Sequence, residues 1–460
     1  MPAALLYNQL LSLTGTTKTD FAQCMYLTPS AFSKLMSEDK LYTYKDKSTF
    51  VSNSAAYFAK KIYSPGCYLK LKEIFPVIYD FPNILELEIF IRQSIEYTLN
   101  KSAVIAKSNT SESFLTFLGY RNITNMICIV MSDYLMNSKI DVLEYYETLL
   151  WSNEINTKIF KDIKFMPASS KAKMKSNHIF TISSLEASLD LQNVSFFERL
   201  YGMFHYSDMD FWMTNNPIEP AFILLKGELI MYLSCLHDNT PCMTIIDDKA
   251  QITRLFQSIF NHKIEKVSFN KKEVIDLVNN DAYTREFFSM HRILGTFSFV
   301  PLGYLVNKEE LDKMEGNQIM KDMLLSLNDR IMNDKNIFAS ASLIVDYFKI
   351  YGKLHLPFIG IINFPPNKRK EYLKRYDHYV ENDVPENIRF IHLSVGLTTF
   401  VCFEKVALVY MTNEEQTIEK LYYLRTDKVF DILNKATQYN IATQYLTSTF
   451  WNQLSSDNNQ

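Results

Sequence analysis

Thr17 to Ser37, TKTDFAQCMYLTPSAFSKLMS, holds two short amphipathic runs hinged at Tyr26 and Leu27, and the reading of the whole chain starts there. Thr17 suits a helix N-cap, and Asp20, three residues on, completes a capping-box-like start and complements the helix dipole. Phe21, Ala22 and Met25 give this helix an apolar face. Beyond the turn, Thr28 is a good N-cap, Pro29 fits the first helical position, and Phe32 and Leu35 face inward. Ser30, Ser33 and Lys34 are left facing outward. Two short helices joined by a tight turn, the second opening with small polar residues, suit insertion of one helix end into a DNA major groove. The same pattern also suits an ordinary helical hairpin in a core.

Upstream, Leu5, Leu6, Leu10 and Leu13 recur at helical spacing and stop at Gly15, which predicts a preceding helix. Downstream, Phe50, Val51, Ala55, Ala56 and Phe58 supply closing helices up to Tyr63, before the break at Ser64-Pro65-Gly66. The expected N-terminal domain is an all-α helix-turn-helix bundle over residues 1–66.

On these residues the stretch resembles the helix-turn-helix of Cro/C1 (XRE-type) transcriptional regulators. Phe21-Ala22, Leu27-Thr28, Ser30, Phe32, Ser33 and Leu35 meet the family pattern. Tyr26 stands where the family usually has Gly, at a turn position whose positive φ is costly for an aromatic residue. Met36 stands where Glu is frequent. The resemblance implies that the helix from Pro29 to Met36 enters the major groove, with Pro29, Ser30, Ser33 and Lys34 nearest base edges. Lys18, Thr28, Lys40, Lys45 and Lys47 are then the expected phosphate contacts. Double-stranded DNA is the implied partner, read by a homodimer on two half-sites.

Charge agrees with a basic head. Residues 1–70 hold eight lysines against four acids, a local balance of +4, so with a total of -3 the remainder carries -7. A solvated surface accounts for +4 almost as well.

The chain of 460 residues has material for two or three domains, and its 33 Phe and 28 Tyr supply enough apolar area to fold them. No apolar run approaches the roughly 20 residues of a membrane helix, and the start MPAALLYNQLLSLTG lacks the marks of a secretory signal, so no membrane association and a cytoplasmic location are expected. The six cysteines form no CxxC pair, which fits reduced thiols better than a disulfide or zinc framework.

Residues 67–160 read as a helical connector or dimerisation region, with helices at Leu69 to Ile74, Ile84 to Leu99 and Met126 to Leu135, the last leading into Val142 to Trp151. Residues 161–178, KDIKFMPASSKAKMKSNH, read as a linker rich in lysine and serine. An α+β region follows, divided into units at 179–300 and 301–460. The first has helix from Phe196 to Trp212, strands at Ala221 to Leu225, Leu229 to Leu233 and Met243 to Ile246, and a helix from Asp247. The second has a helix from Pro365-Pro366 to Val380, strands at Ile388 to Leu393, Thr398 to Phe403 and Ala407 to Met411, and a helix near Asn413. Between them, Lys271 to Phe288 and Asn307 to Met332 read as helices, and Phe297 to Leu302 and Ser342 to Phe348 as strands. Asp247, Ile252, Leu255 and Phe256 match Asn413, Ile418, Leu421 and Tyr422 in order and phase. That correspondence implies two related units, unless two common strand-helix patterns coincide by chance.

The 11 glycines form no GxGxxG or phosphate loop, and there is no HExxH or GxSxG. Cys235, His237, Asp238 and Cys242 cluster in sequence, but Asp238-Asn239-Thr240-Pro241 is a strong turn signal and favours a hairpin over a metal site. Asp208 and Asp210, read on a helix or loop, do not share a face for acid/base work. The basic run Asn367 to Arg375 reads as a solvated helix start. No catalytic residue, metal or cofactor is expected. The favoured reading is a sequence-specific DNA-binding transcriptional regulator with a large C-terminal sensing and dimerisation region, open to a small-molecule or protein effector. An enzyme or toxin-like effector with an autoregulatory DNA-binding head, and a protein-interaction scaffold, are the alternatives.

Overall fold

The computed structural model describes residues 2–37, 44–106, 115–137, 141–148, 158–159, 162–166, 173–204, 208–216, 219–261, 264–280, 292–333, 336–340, 347–382, 388–391, 393, 395–439 and 444–445. The chain divides into two compact units, residues 1–178, 206–208 and 218–262 forming one and the rest forming the other. Both combine helices with mixed sheets, as expected for an α+β chain.

The first unit opens with four helices: α1 (Ala3–Thr14), α2 (Lys18–Cys24), α3 (Pro29–Ser37) and α4 (Lys47–Ile62). Each contributes aromatic rings to one cluster. Tyr7 from α1, Phe21 from α2, Phe32 from α3, and Phe50 and Phe58 from α4 are all buried. Phe21 stacks on Phe58 at 4.9 Å and meets the edge of Phe32 at 5.3 Å. Rings at such separations add about 0.5–1.5 kcal/mol per pair beyond the area they bury. The long helix Ile84–Ala106 packs along α4 and α1, so this bundle is continuous with the residues that follow it.

Beyond the bundle, a mixed sheet in this unit runs in the order Lys173–Phe180, Val142–Glu147, Ala221–Leu225, Leu229–Cys235, Pro241–Ile246, Leu115–Leu118. The first pair is parallel and the others are antiparallel. Helix Tyr120–Asn137 packs on the last two strands, and helix Lys249–Asn261 sends Phe256 and Phe260 against Tyr146.

Two expectations are corrected here. Val142–Glu147 is a strand, because its Leu, Tyr and Tyr side chains bury within a sheet, and that tertiary gain outweighs the helical reading of an ambiguous apolar run. The expected linker 161–178 contains Lys164–Phe165 and the strand Lys173–Phe180, in which Ser176, Asn177 and His178 are buried. Polar residues there bond to the neighbouring strand: the Asn177 amide donates to the Tyr145 backbone O at 3.2 Å, and His178 Nδ1 pairs with Glu147. Their polarity marks a bonded interior strand instead of a solvated tether.

The second unit holds an eight-stranded sheet in the order Ser268–Asn270, Glu419–Leu424, Ala407–Thr412, Thr398–Phe403, Ile293–Ser298, Ile337–Ser340, Ile388–Ile391, Gln444–Tyr445. Ile337–Ser340 is parallel to both its neighbours. Every residue of Thr398–Phe403 and Ala407–Thr412 is buried, because both faces of the sheet are covered. Val401 and Leu408 join a core with Leu324 and Ile331 of helix Gln318–Met332. On the other face Phe400 meets Phe197 of helix Ser195–Phe204 at 4.8 Å.

Four further expectations fail in this unit. The helix near Asn413 is a turn followed by the strand Glu419–Leu424. Asn413 does cap, but its Oδ1 accepts from the Thr417 and Ile418 N–H groups and closes that turn. The residue correspondence of 247–256 with 413–422 fails, since 249–261 are helical and 419–424 extended. The order of three antiparallel strands and a helix does recur, in 221–246 with Lys249–Asn261 and in 398–424 with Lys428–Tyr439. Helix from Phe196 stops at Phe204, and Asp208–Thr214 is a strand. Phe348 belongs to the short helix Tyr347–Tyr351, while 341–346 lie outside the described residues.

Candidate nucleic-acid interface

The turn between α2 and α3 is closed by backbone geometry. The Leu27 N–H donates to Ala22 O at 2.8 Å and the Tyr26 N–H to Gln23 O at 3.0 Å, the paired bonds of a Schellman ending. Tyr26 takes the left-handed position of that motif, with φ of +56°, and its side chain is 93% exposed. An aromatic residue there costs about 1–2 kcal/mol, and no packing of its own ring returns it. The conformation is imposed by its neighbours: Phe21 and Ala22 on one side and Phe32 on the other are fully buried.

Both helices begin as their sequences require. The Asp20 N–H donates to Thr17 Oγ1 at 3.1 Å, and the Thr17 hydroxyl donates to Asp20 Oδ2 at 2.7 Å. At α3 the Ala31 N–H donates to Thr28 Oγ1 at 3.2 Å. A cap of this kind contributes about 1 kcal/mol and fixes where the helix starts.

With Phe32 and Met36 buried, Thr28, Pro29, Ser30, Ser33 and Lys34 are all exposed, gathered on the start and outer side of α3. Lys18 is exposed at the first position of α2. Lys45 and Lys47 are exposed where α4 begins, on a different element from the other candidates. Lys40 lies outside the described residues. The surface also carries cations that the motif did not single out, Lys60 and Lys61 in the last turn of α4. Their signal was the amphipathic pattern of α4, read only for its core face. A helix end with exposed hydroxyls and an ammonium can donate and accept hydrogen bonds at base edges, and exposed lysines on neighbouring elements can neutralise phosphates.

The other sequence candidates fall into structural roles. Cys235 and Cys242 lie on the two strands of an antiparallel hairpin, whose turn holds Asn239 at φ +63° and a Thr240 N–H bonded to Asp238. Among the described residues no group of three or more His, Cys, Asp or Glu is placed to hold a metal ion, and no helix is long and apolar enough to cross a membrane. Asp210 corrects its sequence reading most. On a strand it is buried, with Lys420 at 2.9 Å, Lys266 at 3.2 Å and the Ser268 hydroxyl donating to it at 3.2 Å. Burial alone would raise its carboxyl, but the two ammonium groups outweigh that and hold it below the usual carboxylate range. Asp208, at the start of that strand, is exposed.

No protein-family model and no curated protein matches the chain. Among solved structures, the chain is similar to TrmBL2, an archaeal chromatin protein whose structure shows a novel mode of DNA binding. The identity is 12%, over 47% of this chain and 94% of that one, with a TM-score of 0.22. A superposition at that level does not establish a shared fold.

Proposed function

We propose that this chain is a sequence-specific DNA-binding transcriptional regulator of the Cro/C1 (XRE-type) kind, whose N-terminal helices read the major groove with α3. The observation that carries the proposal is the division of α3. Phe32 anchors it in the aromatic cluster, while Pro29, Ser30, Ser33 and Lys34 remain on its exposed side behind a Thr28 cap. Lys18, Lys45 and Lys47 are the phosphate contacts in this reading, and two heads in a homodimer read two half-sites. The remainder of the chain serves dimerisation and sensing.

The test is a salt-dependent gel shift of the full chain on duplex fragments from its own promoter region, against random duplex. Wild type should prefer one fragment, and Ser33→Glu combined with Lys34→Glu should abolish the preference. Equal binding to every duplex by wild type, or unchanged binding by the double variant, overturns the reading. Light scattering of the complex that gives one chain per duplex would remove the homodimer.

A further inference from the structure

The second unit contains a cavity of about 80 Å³ between one face of its sheet and helix Gln318–Met332. Met320, Met323 and Leu324 form the helical wall. Thr399, Val401 and Tyr410, on adjacent antiparallel strands, form the sheet wall, and His355 also lines the cavity. A volume of that size is about half that of a benzene-sized cavity, which corresponds to on the order of three heavy atoms.

Three observations define what fits. No lysine, arginine, aspartate or glutamate is among the described residues lining it, so a charged molecule would lose its hydration without compensation. His355 adds no charge, since burial, with Lys353 nearby, pushes its imidazole down to about 4. One hydroxyl is left over. Thr399 is 4% exposed, and among the described residues nothing hydrogen-bonds its Oγ1. Elsewhere on the wall the Tyr410 hydroxyl donates to Glu419 at 2.8 Å, and the Asn328 amide donates to Gly303 O at 3.1 Å. A buried hydroxyl without a partner costs about 1–3 kcal/mol, which an occupant able to hydrogen-bond it would relieve.

We propose that this cavity binds a small uncharged molecule, largely hydrocarbon, whose one hydrogen-bonding group meets the Thr399 hydroxyl. Met320 and Met323 let the helical wall adjust to the shape of the occupant, because unbranched thioether side chains repack at low cost. The proposal stands on the second unit alone and does not depend on how the N-terminal helices are used.

The experiment uses the full chain labelled with ¹³C at the methionine methyls and titrated with ethanol, acetate at pH 7, and cyclopropane. The alcohol should move the Met320 and Met323 methyl resonances saturably, and the carboxylate should not. Thr399→Val, which removes the hydroxyl and keeps the shape, should weaken the alcohol about tenfold and leave cyclopropane unchanged. Leu324→Phe, which fills the space, should remove both responses. Absence of saturable shifts with the alcohol, equal binding of the carboxylate, or equal affinity of Thr399→Val and wild type for the alcohol would each overturn the proposal.

Discussion

Gly15 and Tyr26 occupy the same position in two successive helix endings. After each, the next N–H reaches back five residues, Thr16 to Leu11 O at 3.0 Å and Leu27 to Ala22 O at 2.8 Å, and the two residues share a left-handed φ, +60° and +56°. For Gly15 the conformation is free of Cβ strain, whereas for Tyr26 it is not.

Replacing Tyr26 should therefore stabilise the turn. Tyr26→Gly or Tyr26→Asn is expected to gain about 0.5–1 kcal/mol, the strain relieved less the extra chain entropy of the replacement. Native-state hydrogen exchange at the α2 and α3 amides reads this directly; unchanged or lower protection would show that the exposed ring has a stabilising role.

Removal of a ring from the cluster acts in the opposite direction. Phe32→Ala should cost about 3–5 kcal/mol, because Phe32 is fully buried against Tyr7 and Phe21. Ser33→Glu with Lys34→Glu, both exposed, should leave the circular dichroism and protease resistance of the helices as in wild type. A double variant that unfolds would mean that these side chains support the core.

Salt dependence separates phosphate contacts from base contacts. Lys18→Ala, Lys45→Ala and Lys47→Ala should each weaken binding to all duplexes alike and lower the slope of log affinity against log salt by about 0.9. Titrations at several salt concentrations give that slope, and a lysine whose loss leaves it unaltered is not at the phosphate backbone.

Asp210 links the second unit to pH. Its folded carboxyl is held below its unfolded value, so the pair with Lys420 stabilises at neutral pH and its contribution falls away as pH drops below about 4. Lys420→Met should cost about 3–5 kcal/mol at pH 7, since it leaves a buried carboxylate short of one ammonium. The gap between wild-type and variant melting temperatures should close towards pH 3.

His355 gives a second window. Its folded pKa of about 4 lies below the unfolded value, so protonation favours unfolding, and stability declines as pH falls from about 6.5 towards 4, by roughly 2–3 kcal/mol at most. His355→Gln should flatten thermal stability across that interval. A variant that retains the full slope would assign it to other groups.

Features that depend on neighbours a few residues apart are legible along the chain. The caps at Thr17 and Thr28, the stop at Gly15, the apolar faces of α1 to α4 and the hairpins around Lys226-Gly227 and Asp238-Asn239 follow from local hydrogen bonds and periodicity, and the structure has them. The outward set on α3 was legible for the same reason, since an inward Phe32 dictates where Ser33 and Lys34 point. Tertiary structure alone decided the rest. Val142–Glu147 is extended because it has partners on both sides, in strands Lys173–Phe180 and Ala221–Leu225. The same holds for Asp210, whose partners Lys266 and Lys420 are distant in sequence, and for the cavity beside Thr399, assembled from six helices and strands and the loops between them. Pairings across such separations are selected by burial and charge compensation in the folded chain, which no local pattern encodes.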